Sequence, residues 1–243
     1  MGIGGEVIRP LKNSLDGVPV HVRQLAEMFR KHGRKQSDNT SRVSDLDATG
    51  VPSSLQNGWR TNSRWQPDAV VDAGKGNRPD PGDYLTDDYM RTHLAQFENG
   101  ATRIYVTRSL EDWGPGNNQV PGNTTNTAYV FPTDQLNTLM ANVDGPKDLA
   151  DALGLPGDFF EGADVQLRDF APDDLAGLRL PSGNEGGTDV ERWIPGGYLP
   201  SGIPEAVIDI PHDATGWNNG DGMLDQSRWP GSSRPFDLGG GTS

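Results

Sequence analysis

The stretch "WIPGGYLPSGIPEAVIDI", Trp193 to Ile210, places one carboxylate, Glu205, between a glycine- and proline-rich loop and a short apolar strand. Alternation along that strand sets Ala206, Ile208 and Ile210 on one face and Glu205, Val207 and Asp209 on the other. The first set is the expected core, which leaves Glu205 on the expected open face. Gly196, Gly197 and Gly202 make the preceding loop pliable enough to approach a ligand, while Pro195, Pro200 and Pro204 limit the entropy lost when it orders. Two readings stand at this point: a catalytic carboxylate held by a shaped loop, or a solvated glutamate at a strand edge.

Other residue types capable of chemistry are fewer. "ATRIYVT" puts Arg103 and Tyr105 on the strand face opposite Thr102, Ile104 and Val106, and "TNTAYVFP" opens a second strand with the hydroxyls of Thr125 and Thr127. The four histidines, His21, His32, His93 and His212, include no pair at metal-ligand spacing, so no metal site is expected. His93 falls on a helix face with Met90, Leu94 and Phe97, where a core or boundary histidine is the expectation. "WNNGDGMLDQSR" resembles a calcium loop at Asn219, Asp221 and Gly222 but has Trp217 and Arg228 at the two end-ligand positions, and reads as a turn cluster.

These residues need elements to position them. "VRQLAEMFRKHGRK" carries Val22, Leu25, Met28 and Phe29 at helical spacing, and Thr86 can cap a helix bearing Tyr89, Met90, His93, Leu94 and Phe97 that Gly100 closes. "TDQLNTLMANV" and "GPKDLADALGLP" read as two more helices, and "DVQLRDF" and "EAVIDI" as further strands. The expected organisation is a helical segment over 1–35, a linker or loosely wrapped region over 36–82 that Trp59 and Trp65 tack down, an α+β domain over 83–211 and a Gly/Pro/Asn-rich tail over 212–243.

Composition narrows the function classes. A formal charge of −13 argues against strong duplex nucleic-acid binding, since such affinity rests on Lys and Arg neutralising phosphates. No run of about 18 apolar residues is present, so no membrane partner is expected. The N-terminus lacks an apolar signal-peptide core, which makes delivery by a specialised system the expected route for any export. Absence of cysteine removes disulfides and thiolate-bound metal.

The run "YLTDDYMRTHLAQFENGATRIY", then "ALGLP", then "RLPSGNEGG…WIPGGYLPSGIPEAVID" resembles C-terminal toxin domains of bacterial polymorphic toxins of the Rhs and contact-dependent-inhibition type. The order of a strand with arginine, a strand opened by hydroxyls and a late strand opened by glutamate is also similar to ADP-ribosyltransferase toxins of the arginine–serine–glutamate type. That resemblance implies two small sheets flanking an NAD cleft. Arg103 would fork onto the pyrophosphate, with Tyr105 beside it. Thr125 and Thr127 would orient the nicotinamide ribose and the glutamate, and Glu205 would hold the ribose 2′-hydroxyl and stabilise the oxocarbenium-like charge. It further implies a target macromolecule and a cognate immunity protein as partners. Family members that modify arginine carry a second carboxylate two residues before the glutamate; this chain has Ile203 there, which leaves nucleic acid or water open as acceptor. Glu185 and Glu191 are candidates for that second carboxylate if the loop folds back. A toxin ribonuclease using His93 or His212, and a binding module without chemistry, are the alternatives.

Overall fold

The computed structural model describes residues 17–32, 49–108, 125–141, 143–211 and 230–238. His212 and the turn cluster at 217–228 lie outside the described residues. The fold is α+β: short helices surround one antiparallel sheet whose strands are β1 (Ala101–Val106), β2 (Thr125–Pro132), β3 (Val165–Phe170), β4 (Ala206–Pro211) and β5 (Ser232–Pro235), in the order β4-β2-β1-β3-β5. The helices are α1 (Val20–His32), α2 (Ser53–Gly58), α3 (Pro67–Asp72), α4 (Asp87–Ala95), α5 (Leu136–Met140) and α6 (Pro146–Ala152).

The strand faces divide as expected, but both are largely covered, and in β1 only Arg103 is not buried. Ala128 and Val130 of β2 and Ala206, Ile208 and Ile210 of β4 form one apolar layer with Phe97, Ala101 and Phe170. Ile104 and Val106 of β1 and Val165 and Leu167 of β3 turn the other way, onto Phe131, Leu139, Leu149 and Phe160. Thr86 caps α4 as expected, its hydroxyl accepting from the Tyr89 N–H at 3.3 Å.

Where two separate small sheets were expected, the strands join into one, but the join is slight. β1 and β2 pair only at Ala101–Pro132 and Thr102–Phe131. By contrast, β1 and β3 pair at six positions, as do β2 and β4. The centre of the sheet is therefore a seam, closed at one end.

Two segments differ from expectation. The stretch read as loosely wrapped is packed from residue 49 onward: Val51, Leu55, Trp59 and Val70 are each at most 2% exposed and share a core with Leu25 and Phe29 of α1. Trp59 does tack this segment down, buried at 2% exposure and bridged to Leu85 of the following domain, while Trp65 is half-buried. Within the stretch read as a frayed tail, residues 232–235 form β5 on the edge of β3, and the Phe236 N–H bonds the Val165 carbonyl. "SSRP" contains no apolar alternation and gains its strand by ladder pairing alone.

Candidate functional site

If the β1–β2 ladder ran on past its two pairs, residues 103–105 would face 128–130. Instead the strands part, and Arg103, Ile104 and Tyr105 on one side and Tyr129, Val130 and Phe131 on the other border a cavity of about 410 Å³. Glu205, Thr188, Trp193, Tyr198 and Phe159 complete much of the wall. Arg103 and Tyr105 of β1 thus meet Glu205, at the entrance to β4, around one cavity.

Glu205 lies on the predicted face but that face is not open. It is 9% exposed and its neighbour Val207 is fully buried, because the chain from 178 onward returns over the strand, with Arg179 bridging to Val207. Both backbone groups of Glu205 are anchored: its N–H donates to the Gly197 carbonyl at 2.7 Å, and its carbonyl accepts from His93 Nε2 at 3.0 Å. Gly197 is required there, since at φ +80° a Cβ would stand 3.0 Å from His93 Nε2. Its neighbour Gly196 packs against Leu55, so these two glycines serve the core rather than a close ligand approach. Ile203, 1% exposed, belongs to the core as well.

The Glu205 carboxyl has no hydrogen-bond partner among the described residues. Burial, and secondarily the Glu185 charge, raise its pKa to about 8. Glu185 is the carboxylate that the folded-back loop brings near; Glu191 is exposed. The Glu185 carboxylate is itself well held, accepting from the Ser182 N–H at 2.9 Å, the Ser182 hydroxyl at 3.0 Å, the Gly183 N–H at 2.8 Å and the Tyr129 hydroxyl at 3.2 Å. Tyr129 also bonds the Thr188 hydroxyl, and burial pushes its own phenol pKa well up. Tyr129, Thr188 and Trp193 were not singled out from the sequence; Tyr129 shares the β2 face of Thr127, and that alternation was the signal available.

Arg103 is half-buried in the seam, opposite Arg168 of β3. Desolvation, with a smaller contribution from the Arg168 charge, lowers its pKa to about 10, so it is still a cation at neutral pH. Arg168 is tied to the Pro230 and Gly231 carbonyls and to Ser233, which the Tyr105 hydroxyl also contacts at 2.8 Å. Thr127 is buried in register with Asp209 and does not border the cavity. Thr125 pairs with Pro211, and its side chain lies outside what is described.

His93 is a core histidine, as expected: 1% exposed, ringed by Tyr89, Phe97 and Tyr198, its pKa lowered to about 4 by burial despite the carbonyl bond. A ring so buried and so weakly basic is a poor general base for RNA cleavage at neutral pH. A second anchor lies behind the cavity wall. Arg78, 6% exposed, donates to the Gly183 carbonyl at 2.5 Å and stacks 4.5 Å from the centre of the Trp193 ring. Asn184 accepts from the Gly76 and Arg78 N–H groups and donates back to the Arg78 carbonyl. The loop carrying Glu185 and the wall residue Trp193 are thereby fixed to residues 76–78. No group of three or more potential metal ligands occurs among the described residues.

No protein-family model, curated protein or solved structure matches this chain.

Proposed function

We propose that this chain cleaves the nicotinamide–ribose bond of NAD and passes ADP-ribose to a macromolecule or to water, as a bacterial toxin or effector domain with an ADP-ribosyltransferase-like arrangement of β4–β2 and β1–β3–β5 about the seam. The observation that carries the reading is that Glu205 borders the same cavity as Arg103 and Tyr105 of β1, about 100 positions earlier in the sequence. Its volume of about 410 Å³ lies within the range of small-ligand sites. Arg103 offers a guanidinium to the pyrophosphate, Tyr129, Trp193 and Tyr198 offer ring faces to nicotinamide, and Glu205 offers its carboxylate to the ribose. Thr188, bordering the cavity and bonded to Tyr129, takes the orienting hydroxyl role first given to Thr127.

In the reaction the C1′–N bond breaks with its electron pair going to the ring nitrogen, which neutralises the pyridinium. C1′ bonds the acceptor atom, whose proton is released. Ionised Glu205 lowers the barrier by opposing the positive charge that builds on the ribose in a dry site. The toxin role and a cognate immunity protein as partner rest on the motif order in the sequence.

The test is nicotinamide release from NAD by the purified chain, chromatographically quantified, beside Glu205→Gln and Arg103→Ala. Wild type should release nicotinamide and Glu205→Gln should be slower by roughly 100-fold or more. Equal rates would remove Glu205 from the mechanism, and no release with protein, nucleic-acid or water acceptors would remove the NAD reading.

A further inference from the structure

The cavity has a chemical polarity that its volume alone does not convey. On its wall stands Glu205, nine-tenths buried, its carboxyl making no hydrogen bond to any described residue. Close by, the Glu185 carboxylate is saturated by four donors, one of them the Tyr129 hydroxyl. The rings of Tyr129, Phe131, Phe159, Trp193 and Tyr198 border the same cavity as Glu205, while Glu185 lies outside its lining. A buried carboxyl without a hydrogen-bond partner, close to a second carboxylate and sharing its cavity with aromatic rings, favours a positively charged ligand: aromatic faces attract cations, and so does an ionised carboxyl.

Among the charged groups on other elements, Arg78 stacks on the Trp193 ring and lies in the field of Glu185, but it does not border the cavity and makes no bond to Glu205. Arg192 borders the cavity but gives Nη1 to the Leu155 carbonyl at 2.7 Å and lies between Asp151 at 3.5 Å and Asp189 at 3.9 Å. Arg103 and Tyr105 belong to the β1 side, where Arg168 is the neighbour. His93 bonds Glu205 at its backbone carbonyl and not at its carboxyl, and Asp189, which also borders the cavity, adds negative charge.

We propose that the cavity wall formed by Glu205 and these rings is a binding site for a flat organic cation, and that Glu205 gives up a proton to solvent as the cation enters. In the empty site the carboxyl is held neutral by its burial and by Glu185; a cation seated against the rings replaces the proton as the compensating charge. Resting on the NAD reading, this deepens it: the nicotinamide ring of NAD is such a cation, and its entry ionises Glu205, the form needed for bond cleavage. The ligand thereby switches on its own catalytic group, and neutral look-alikes leave the carboxyl protonated.

The experiment uses the full chain and the 1-methylnicotinamide cation, with neutral nicotinamide as control, by titration calorimetry at pH 7 in two buffers of different ionisation enthalpy. The cation should bind with a heat that differs between buffers by about one proton released per ligand. Nicotinamide should bind at least ~10-fold more weakly, with a heat that does not depend on the buffer. Glu205→Gln, an isosteric neutral change, should keep the circular dichroism of the wild type and lose the proton release. Buffer-independent heats for the cation, equal affinity for the two probes, or no cation binding up to millimolar concentration would each overturn the proposal. Nicotinamide release from NAD is measured separately: proton-linked cation binding without NAD cleavage keeps this site and removes the NAD reading, and NAD cleavage with buffer-independent binding does the reverse.

Discussion

Replacing Glu205 by glutamine should make the protein more stable, and increasingly so as pH rises. The folded carboxyl has its pKa raised from 4.5 to about 8, so below pH 4.5 both folded and unfolded chains hold the proton and the group is neutral in its effect on pH dependence. Between those values the unfolded chain releases the proton while the folded chain keeps it, which favours unfolding progressively. Above pH 8 both are ionised and the loss is complete. A difference of 3.5 pK units corresponds to about 5 kcal/mol at the alkaline limit and about 3 kcal/mol at pH 7. Domain stabilities are of order 5–15 kcal/mol, so the effect is a large share of the total. Glutamine keeps the shape and removes the ionisation. Urea unfolding followed by tryptophan fluorescence, run at unit steps from pH 5 to pH 9, should show the variant pulling away from the wild type toward alkaline pH. A stability difference that stays constant across that range would refute the assignment of Glu205 as the titrating buried group.

Two further predictions concern the anchors. His93, whose pKa is lowered from 6.5 to about 4, contributes stability present above pH 6.5 and lost as pH falls toward 4, about 3 kcal/mol in all; His93→Gln, unfolded by urea at pH 4 to 7, should flatten that acid limb, and an unchanged limb would show that another group causes it. Gly183→Ala places a Cβ 2.7 Å from Arg78 Nη1 and 2.8 Å from the Trp193 ring at φ +80°; it should cost about 2–3 kcal/mol or more in urea unfolding and shift the tryptophan emission, the left-handed conformation alone accounting for about 1–2 kcal/mol.

Much of the framework was legible because it rests on local rules. "ATRIYVT", "TNTAYVFP", "DVQLRDF" and "EAVIDI" each alternate, and each is a strand. Thr86 announces α4 by its side chain. The face on which Glu205 lies followed from the same alternation, yet its burial did not, because the chain that covers it, from Arg179 to Gly197, is held by contacts with β4, α2 and α4 rather than by any periodicity. The packing of 49–82 was hidden for a related reason: Val51, Leu55, Trp59 and Val70 are isolated apolar residues in a polar text, and their core is assembled from α1, from Tyr84 and Leu85, and from Leu180, Trp193 and Tyr198 more than 100 positions away. Arg78 reads as a solvated cation until Gly183 and Trp193 close around it. Thr127 shows the opposite failure, with the right strand and the right face but no access to the cavity.

Two paired positions hold β1 to β2, and the space beyond them is where a ligand would sit. The sheet is in this sense unfinished: its five strands are stitched as a pair and a triplet, and the missing stitches are backbone bonds that no side chain can replace. A molecule reaching from Arg103 to Glu205 would act as a rivet across the gap, so how firmly the two parts move together becomes a property of the occupied protein, not of the chain alone.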